Sequence, residues 1–219
     1  MSRDFTVDLY WSFRSPYSYL ALPRIVSLSK RRDVKWNLRI VYPLAIRYPD
    51  YFKSQHPLAM RYVLADCERV AAFLGMPYRW PSPDPVVQNM ATREISPDQP
   101  HIDQLTRLGI AANRQGKGIP FIAEVGRLLW DGSITGWNEG THLACAAERA
   151  GLSLVDLERA IEADPAGMTA EIDANQAAQY EAGHWGVPLF VFDGEPFFGQ
   201  DRFDLLVWRM QQKGLPAIS

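Results

Sequence analysis

Ser15-Pro16-Tyr17-Ser18 stands where a strand hands over to a helix, and that position gives a serine chemical use. Phe5 to Trp11 is β-branched and aromatic and reads as a buried strand. From Pro16 to Arg32 apolar residues recur at three- and four-residue spacing, the mark of a helix. Ser15 is therefore expected at the N-cap and Pro16 at the first helical position. A helix N-terminus offers free N–H groups and a partial positive charge, and so stabilises an anion. A serine hydroxyl there can donate to a thiolate carried by another molecule and keep it ionised near neutral pH; equally, it can serve only as the cap. Attack by Ser15 itself is the weaker option, because no histidine lies in a recognisable elbow around it.

The elements that must position this junction form two groups. At the front, Val34 to Tyr42 alternates apolar with polar residues and reads as a second strand, which makes a βαβ unit with parallel strands. Pro23 is expected to kink the intervening helix. At the back, Leu189 to Phe192 and Glu195 to Phe198 flank Asp193-Gly194, a strong hairpin signal, and a last helix covers Arg202 to Lys213. Between them, residues 50–182 hold no convincing strand; helices are expected over 58–74, 101–115, 118–130, 139–150, 153–163 and 168–182. Ser153, with Asp156 three residues on, makes an approximate capping box. The pattern is an α/β, thioredoxin-like fold, residues 1–48 and 183–219, with a large all-helical insertion, residues 49–182.

In a thioredoxin-like fold the Ser15–Ser18 position holds Cys-x-x-Cys. With serine at both ends, disulfide exchange by this motif is excluded, because a hydroxyl cannot form the mixed disulfide. Pro188, in Gly186-Val187-Pro188, occupies the place of a proline that is usually cis in this fold. That proline faces the helix N-terminus and leaves the preceding backbone open to pair with a peptide such as glutathione. Gly199, Gln200 and Asp201 open the last helix. Asp201 either caps it or, with its N–H groups, binds the amino and carboxylate ends of a γ-glutamyl group.

Composition narrows the classes. Hydrophobic residues are 47% and charged residues 22% of the 219, as in globular proteins, so disorder is not expected. No run of about 18 apolar residues occurs, and the first residues lack a secretory pattern. Residues 1–60 carry +6 and the remainder −8, so the basic N-terminal quarter can attract a small anion or simply form one end of a dipolar surface. A pI near 6.1 argues against nucleic acid. The four histidines are scattered without ligand spacing, so no metal is expected. Cys67 and Cys145, both in helical runs, read as buried hydrophobes in a cytoplasmic protein. Trp185 reads as core, with His184-Trp185 as a substrate wall the other option. Tyr62, Asp66 and Arg69 share a helix face, with an internal salt bridge as the simplest reading.

Three motifs in order carry a resemblance over nearly the whole chain: Asp8-Leu-Tyr-Trp-Ser-Phe-Arg-Ser15-Pro-Tyr-Ser-Tyr-Leu-Ala21, Tyr62-x-x-x-Asp66-x-x-Arg69 before Leu74-Gly75-Met-Pro77, and Gly186-Val-Pro188 with Phe198-Gly-Gln-Asp-Arg202. They resemble the 2-hydroxychromene-2-carboxylate isomerases, relatives of kappa-class glutathione transferases within the DsbA-like thioredoxin superfamily. The resemblance implies that Ser15 activates glutathione, with Pro16 and Tyr17 beside it. It further implies that Val187, next to Pro188, pairs with the cysteinyl backbone, and that Gly199, Gln200 and Asp201 contact the γ-glutamyl group. The implied reaction is reversible addition of glutathione thiolate to an unsaturated aromatic pyruvate, by a cytoplasmic homodimer. Many members have an Asn-x-Pro-Pro loop and a lysine three residues before the tyrosine. Here the loop is Lys53-Ser-Gln-His-Pro57 and the lysine position is Ala59. Lys53, Gln55 and Arg61 are the residues able to compensate, or are solvated. A glutathione transferase, which releases the conjugate, and a non-catalytic peptide-binding module are the rival readings.

Overall fold

The computed structural model describes residues 5–89, 92 and 94–217. The two apolar runs at the front become β1 (Phe5–Trp11) and β2 (Val34–Ile40), parallel and in register from Phe5 opposite Val34 to Trp11 opposite Ile40. Helix α1 (Pro16–Ser29) connects them. It passes through Pro23 without interruption; the ring lies on the exposed side. The helix ends three residues before the expected Arg32, where Arg31 turns back to pair with Asp33 at 2.7 Å.

Two four-residue helices follow, α2 (Leu44–Arg47) and α3 (Tyr51–Ser54), too short to leave a periodicity in the sequence. The remaining helices are α4 (Pro57–Phe73), α5 (Pro100–Arg114), α6 (Gly118–Trp130), α7 (His142–Arg149), α8 (Leu154–Ala163) and α9 (Pro165–Glu181). Ser153 caps α8 as expected, its hydroxyl accepting from the Asp156 N–H. In the stretch expected to lack strands, Gln88 and Ile95 form an isolated bridge.

Strands β3 (Leu189–Phe192) and β4 (Glu195–Phe198) form the hairpin, turned by Asp193 and Gly194, whose φ values of 54° and 80° suit its two central positions. The sheet order is β2-β1-β3-β4, with β3 antiparallel to both neighbours. A short 3-10 turn, Gln200–Arg202, leads into α10 (Phe203–Gln212). The thioredoxin-like arrangement expected from the sequence is the one observed.

Period-two alternation puts Val7, Leu9 and Trp11 on one face of β1, where they join the main core with Ile25 of α1 and Phe121 of α6. On the other face, Tyr10 packs with Val41, Leu189 and Val191 beneath Ala178 of α9. The loop from β1 to α1 is fixed at both ends. Trp130 Nε1 donates to the Phe13 carbonyl at 2.9 Å, and the Tyr19 hydroxyl donates to the Pro77 carbonyl at 2.6 Å. These bonds anchor the loop that carries Arg14 and Ser15 beyond the C-terminal end of β1, an interior strand of the sheet. No described helix is long and apolar enough to cross a membrane.

Candidate active site

Ser15 is the N-cap of α1, and its hydroxyl oxygen accepts the Ser18 N–H at 3.2 Å. The same hydroxyl donates to the Val187 carbonyl at 3.1 Å, so the two junctions singled out in the sequence, 172 residues apart, meet here. The Val187–Pro188 peptide is cis.

Buried polar side chains hold the Gly186–Pro188 loop against Ser15. Gln179, fully buried on α9, donates to the Gly186 carbonyl at 2.6 Å and accepts from Arg47 Nη1 at 2.9 Å. Arg47 also donates to the carbonyls of Trp185 and Tyr42, both at 2.7 Å. Burial pushes its pKa down to about 10, yet it remains charged at neutral pH. On the other flank, the Gly199 N–H donates to the Pro188 carbonyl at 2.9 Å. A side chain at Gly186 would displace the Phe198 ring, which lies 2.3 Å from where a Cβ would stand.

These elements enclose a cavity of about 220 Å³. Arg14, Ser15, Pro16, Tyr17, Gly186 and Val187 form one side; Phe52, Met60, Val63, Trp80 and Phe198 supply an apolar and aromatic wall. Gln55 and Ala59 of the altered loop are on it too, whereas Lys53 turns outward to Asp50 and Arg61 is exposed. The Tyr17 hydroxyl is committed, donating to Asp66 Oδ2 at 2.8 Å; burial and that bond push its pKa far up, so it acts as a neutral wall. Asp66 also takes the expected bridge from Arg69, at 3.0 Å, while Tyr62 is exposed.

Gly199, Gln200 and Asp201 are not on this cavity. Gln200 accepts from Arg24, and Asp201 lies behind Phe198 in a separate open groove with His184 and Leu205. Asp201 does not cap the last helix: Arg202 holds the N-cap position, without a side-chain bond, and Asp201 pairs loosely with it at 3.6 Å. Asp201 belongs to the 3-10 turn itself, so the helix starts one residue beyond the position from which it would cap. His184 stacks on Phe198 with ring centroids 3.9 Å apart and accepts the Gly186 N–H at 2.9 Å; burial holds its pKa below the usual value. Trp185, expected in the core, is 44% exposed and stacks on His184. Cys145, expected to be buried, is exposed, because α7 presents it outward, while Cys67 is buried and its thiol pushed up to about 11. Among the described residues there is no cluster able to hold a metal.

Sequence reasoning missed Arg14 and Asp84. Asp84 accepts from Arg14 Nε at 3.1 Å and Nη2 at 2.9 Å, from Trp80 Nε1 at 3.1 Å and from the Val86 N–H at 2.9 Å. Burial works to raise its pKa, but the Arg14 bonds and charge win and hold it below the ordinary 3.8. Since the folded carboxyl binds its proton more weakly than the unfolded one, its contribution is complete above the unfolded pKa and is lost as pH falls through the folded one. Asp84→Asn should therefore lower stability at neutral pH, with the gap to the parent closing in acid. Urea midpoints across that range check this, and a gap that persists unchanged would mean the carboxylate charge is not what holds Arg14. The one available signal was an arginine next to the N-cap serine; its partner, 70 residues away in a Pro-rich loop, left none.

A DSBA-like thioredoxin domain matches residues 6–211, and the chain belongs to that family. It is 27% identical over 205 residues to the curated 2-hydroxychromene-2-carboxylate isomerase of Sphingobium xenophagum, covering 92% of this chain and 95% of the relative. A solved 2-hydroxychromene-2-carboxylate isomerase superposes with a TM-score of 0.71 at 19% identity over 95% of each chain. The cytosolic disulfide reductase DsbM from Pseudomonas aeruginosa, solved with GSH, superposes at 0.62 with 15% identity, over 94% of this chain and 99% of that one. At these identities the two structures bear on the fold alone.

Proposed function

We propose that the protein is a glutathione-dependent isomerase of an unsaturated aryl pyruvate or chromene carboxylate. The observation that carries this reading is the Ser15 hydroxyl at the N-terminus of α1, facing the carbonyl before a cis proline inside an aromatic cavity. A glutathione cysteinyl N–H laid along the loop takes over the Val187 carbonyl. Ser15 is then free to turn its proton to the thiolate, with the α1 N-terminus favouring the negative charge. The thiolate adds to the carbon–carbon double bond conjugated with the ketone, and the electron pair moves to the ketone oxygen as an enolate. The former double bond rotates, the carbonyl re-forms, and the carbon–sulfur bond breaks. Glutathione leaves unconsumed, which makes it a borrowed nucleophile. The aromatic wall suits the aryl group.

The test is a hydroxybenzylidene pyruvate incubated with enzyme and glutathione. Isomer interconversion with the free thiol titre constant supports the reading; thiol loss matching a stable conjugate would make the protein a transferase, and no reaction would remove both.

Asp201 is proposed to hold the γ-glutamyl end, with Gly199 and Gln200 beside it. The peptide must then run past Phe198 into the groove that Asp201 lines. Asp201→Ala should weaken glutathione binding about tenfold, the scale of one charge-assisted bond. Calorimetry decides; an unchanged dissociation constant would leave Asp201 as surface.

A further inference from the structure

Arg14 is less than one-tenth exposed, immediately precedes Ser15, and lines the same cavity. Asp84 engages its Nε and Nη2 side-on, and Trp80 lies against its guanidinium with the ring centroid 5.2 Å away. Asp84 is itself fixed by Trp80, Gln88 and the Val86 N–H, so the arginine cannot swing. Its remaining nitrogen, Nη1, donates to no other described residue. A guanidinium gripped on one edge and left with donors on another is built to present them to an oxygen. Among the described residues, no other cationic side chain is on the cavity wall.

We propose that Arg14 Nη1 binds the α-keto acid end of the acceptor and stabilises the enolate oxygen that forms when the thiolate adds. This rests on the addition mechanism proposed above. When sulfur bonds to carbon, the double-bond pair is relayed to the ketone oxygen; Arg14 donates to that oxygen as its charge grows, without transferring its proton. When the pair returns, the carbonyl re-forms and the thiolate is expelled, so the arginine ends as it began. A donor already oriented by Asp84 needs no reorganisation at that moment, which is where such groups contribute most. The position of Arg14 one residue from Ser15 puts the thiolate-activating group and the enolate-stabilising group on the same rigid loop.

The test compares the parent with Arg14→Met, Arg14→Lys and the double variant Arg14→Met/Asp84→Leu, in which no buried carboxylate is left unpaired. Kinetics use hydroxybenzylidene pyruvate at saturating glutathione. Loss of the donor should lower kcat about 100-fold in both methionine variants, while glutathione affinity and the thiolate absorbance stay at the parental level; Arg14→Lys should recover part of the rate. A folded double variant with kcat within about threefold of the parent overturns the proposal. Binding without turnover gives an independent readout. The parent should prefer benzylidene pyruvate over the neutral benzylidene acetone, and the double variant should lose that preference. If the parent prefers the keto acid but isomerises nothing, the addition mechanism fails while the keto-acid contact stands. If it has no preference between them, the Arg14 contact fails whatever the chemistry.

Discussion

Replacing Ser15 with alanine should leave the protein folded and able to bind glutathione, but with the thiol protonated at neutral pH and turnover lowered about 100-fold. Part of the hydroxyl's work is local. It accepts the Ser18 N–H, and loss of a cap of this kind costs about 1 kcal/mol, tolerable in a chain whose α1 is packed against α6, α4 and β2. The larger loss is chemical. In the alanine variant the helix N-terminus still favours an anion, but no hydroxyl remains to donate to the sulfur, so the pKa of bound glutathione should rise toward that of the free thiol. A pH profile then separates the two roles. If Ser15 were only a cap, urea stability would fall while the pH dependence of turnover kept its position; if it activates the thiol, the rising limb moves to higher pH. Ser15→Cys should not substitute cleanly, since a second thiol at that position introduces disulfide chemistry that serine excludes.

The second large effect is expected far from the sulfur, at Gln179. Gln179→Leu removes the donor to the Gly186 carbonyl and the acceptor for Arg47, leaving a buried carbonyl and a half-buried cation each short of a partner. Unmade bonds of that sort cost about 1–3 kcal/mol apiece, so a stability loss of roughly 3 kcal/mol is expected in urea melts. Glutathione affinity should fall as well, because Arg47 and Gln179 together hold the loop whose backbone the peptide would use. Gln179→Glu is the informative control. It keeps the acceptor and gives Arg47 a charged partner but loses the donor to Gly186, so stability should recover further than glutathione affinity. Equal recovery of both would mean that the Gly186 bond has no part in shaping the site.

What could be read from the sequence was whatever a few neighbouring residues determine. Ser15-Pro16 fixes a helix start because a side-chain acceptor and a missing N–H act within one turn. Asp193-Gly194 fixes a hairpin because both backbones must take positive φ. The cis Val187–Pro188 bond was legible only because the order of elements had already suggested the fold. Features made by distant pairing were not legible. Arg14 and Asp84 lie 70 residues apart, and Arg47 meets Gln179 across 132, so no local pattern marks either. Exposure of single residues also escaped. Trp185 is an aromatic that packs on His184 at the rim instead of in the core, and Cys145 sits on a helix whose small residues, Ala144, Ala146 and Ala147, do not declare which face is buried. The helices α2 and α3, at four residues each, carry Leu44 and Phe52 to the cavity wall through chain geometry alone. Asp201 is the instructive case. It lies within a 3-10 turn, absent from any propensity, that leaves the N-cap of α10 to Arg202, and its side chain lines a groove separate from the cavity at Ser15.

The measurement that bears most directly on the account is titration of the wild-type protein with glutathione, followed by calorimetry and by ultraviolet difference absorbance of the thiolate. Saturable binding accompanied by a thiolate band at neutral pH, with the band lost and the binding kept in Ser15→Ala, is the result expected of an activated-thiol site. Absence of glutathione binding, or binding as the neutral thiol in the wild type, would contradict it.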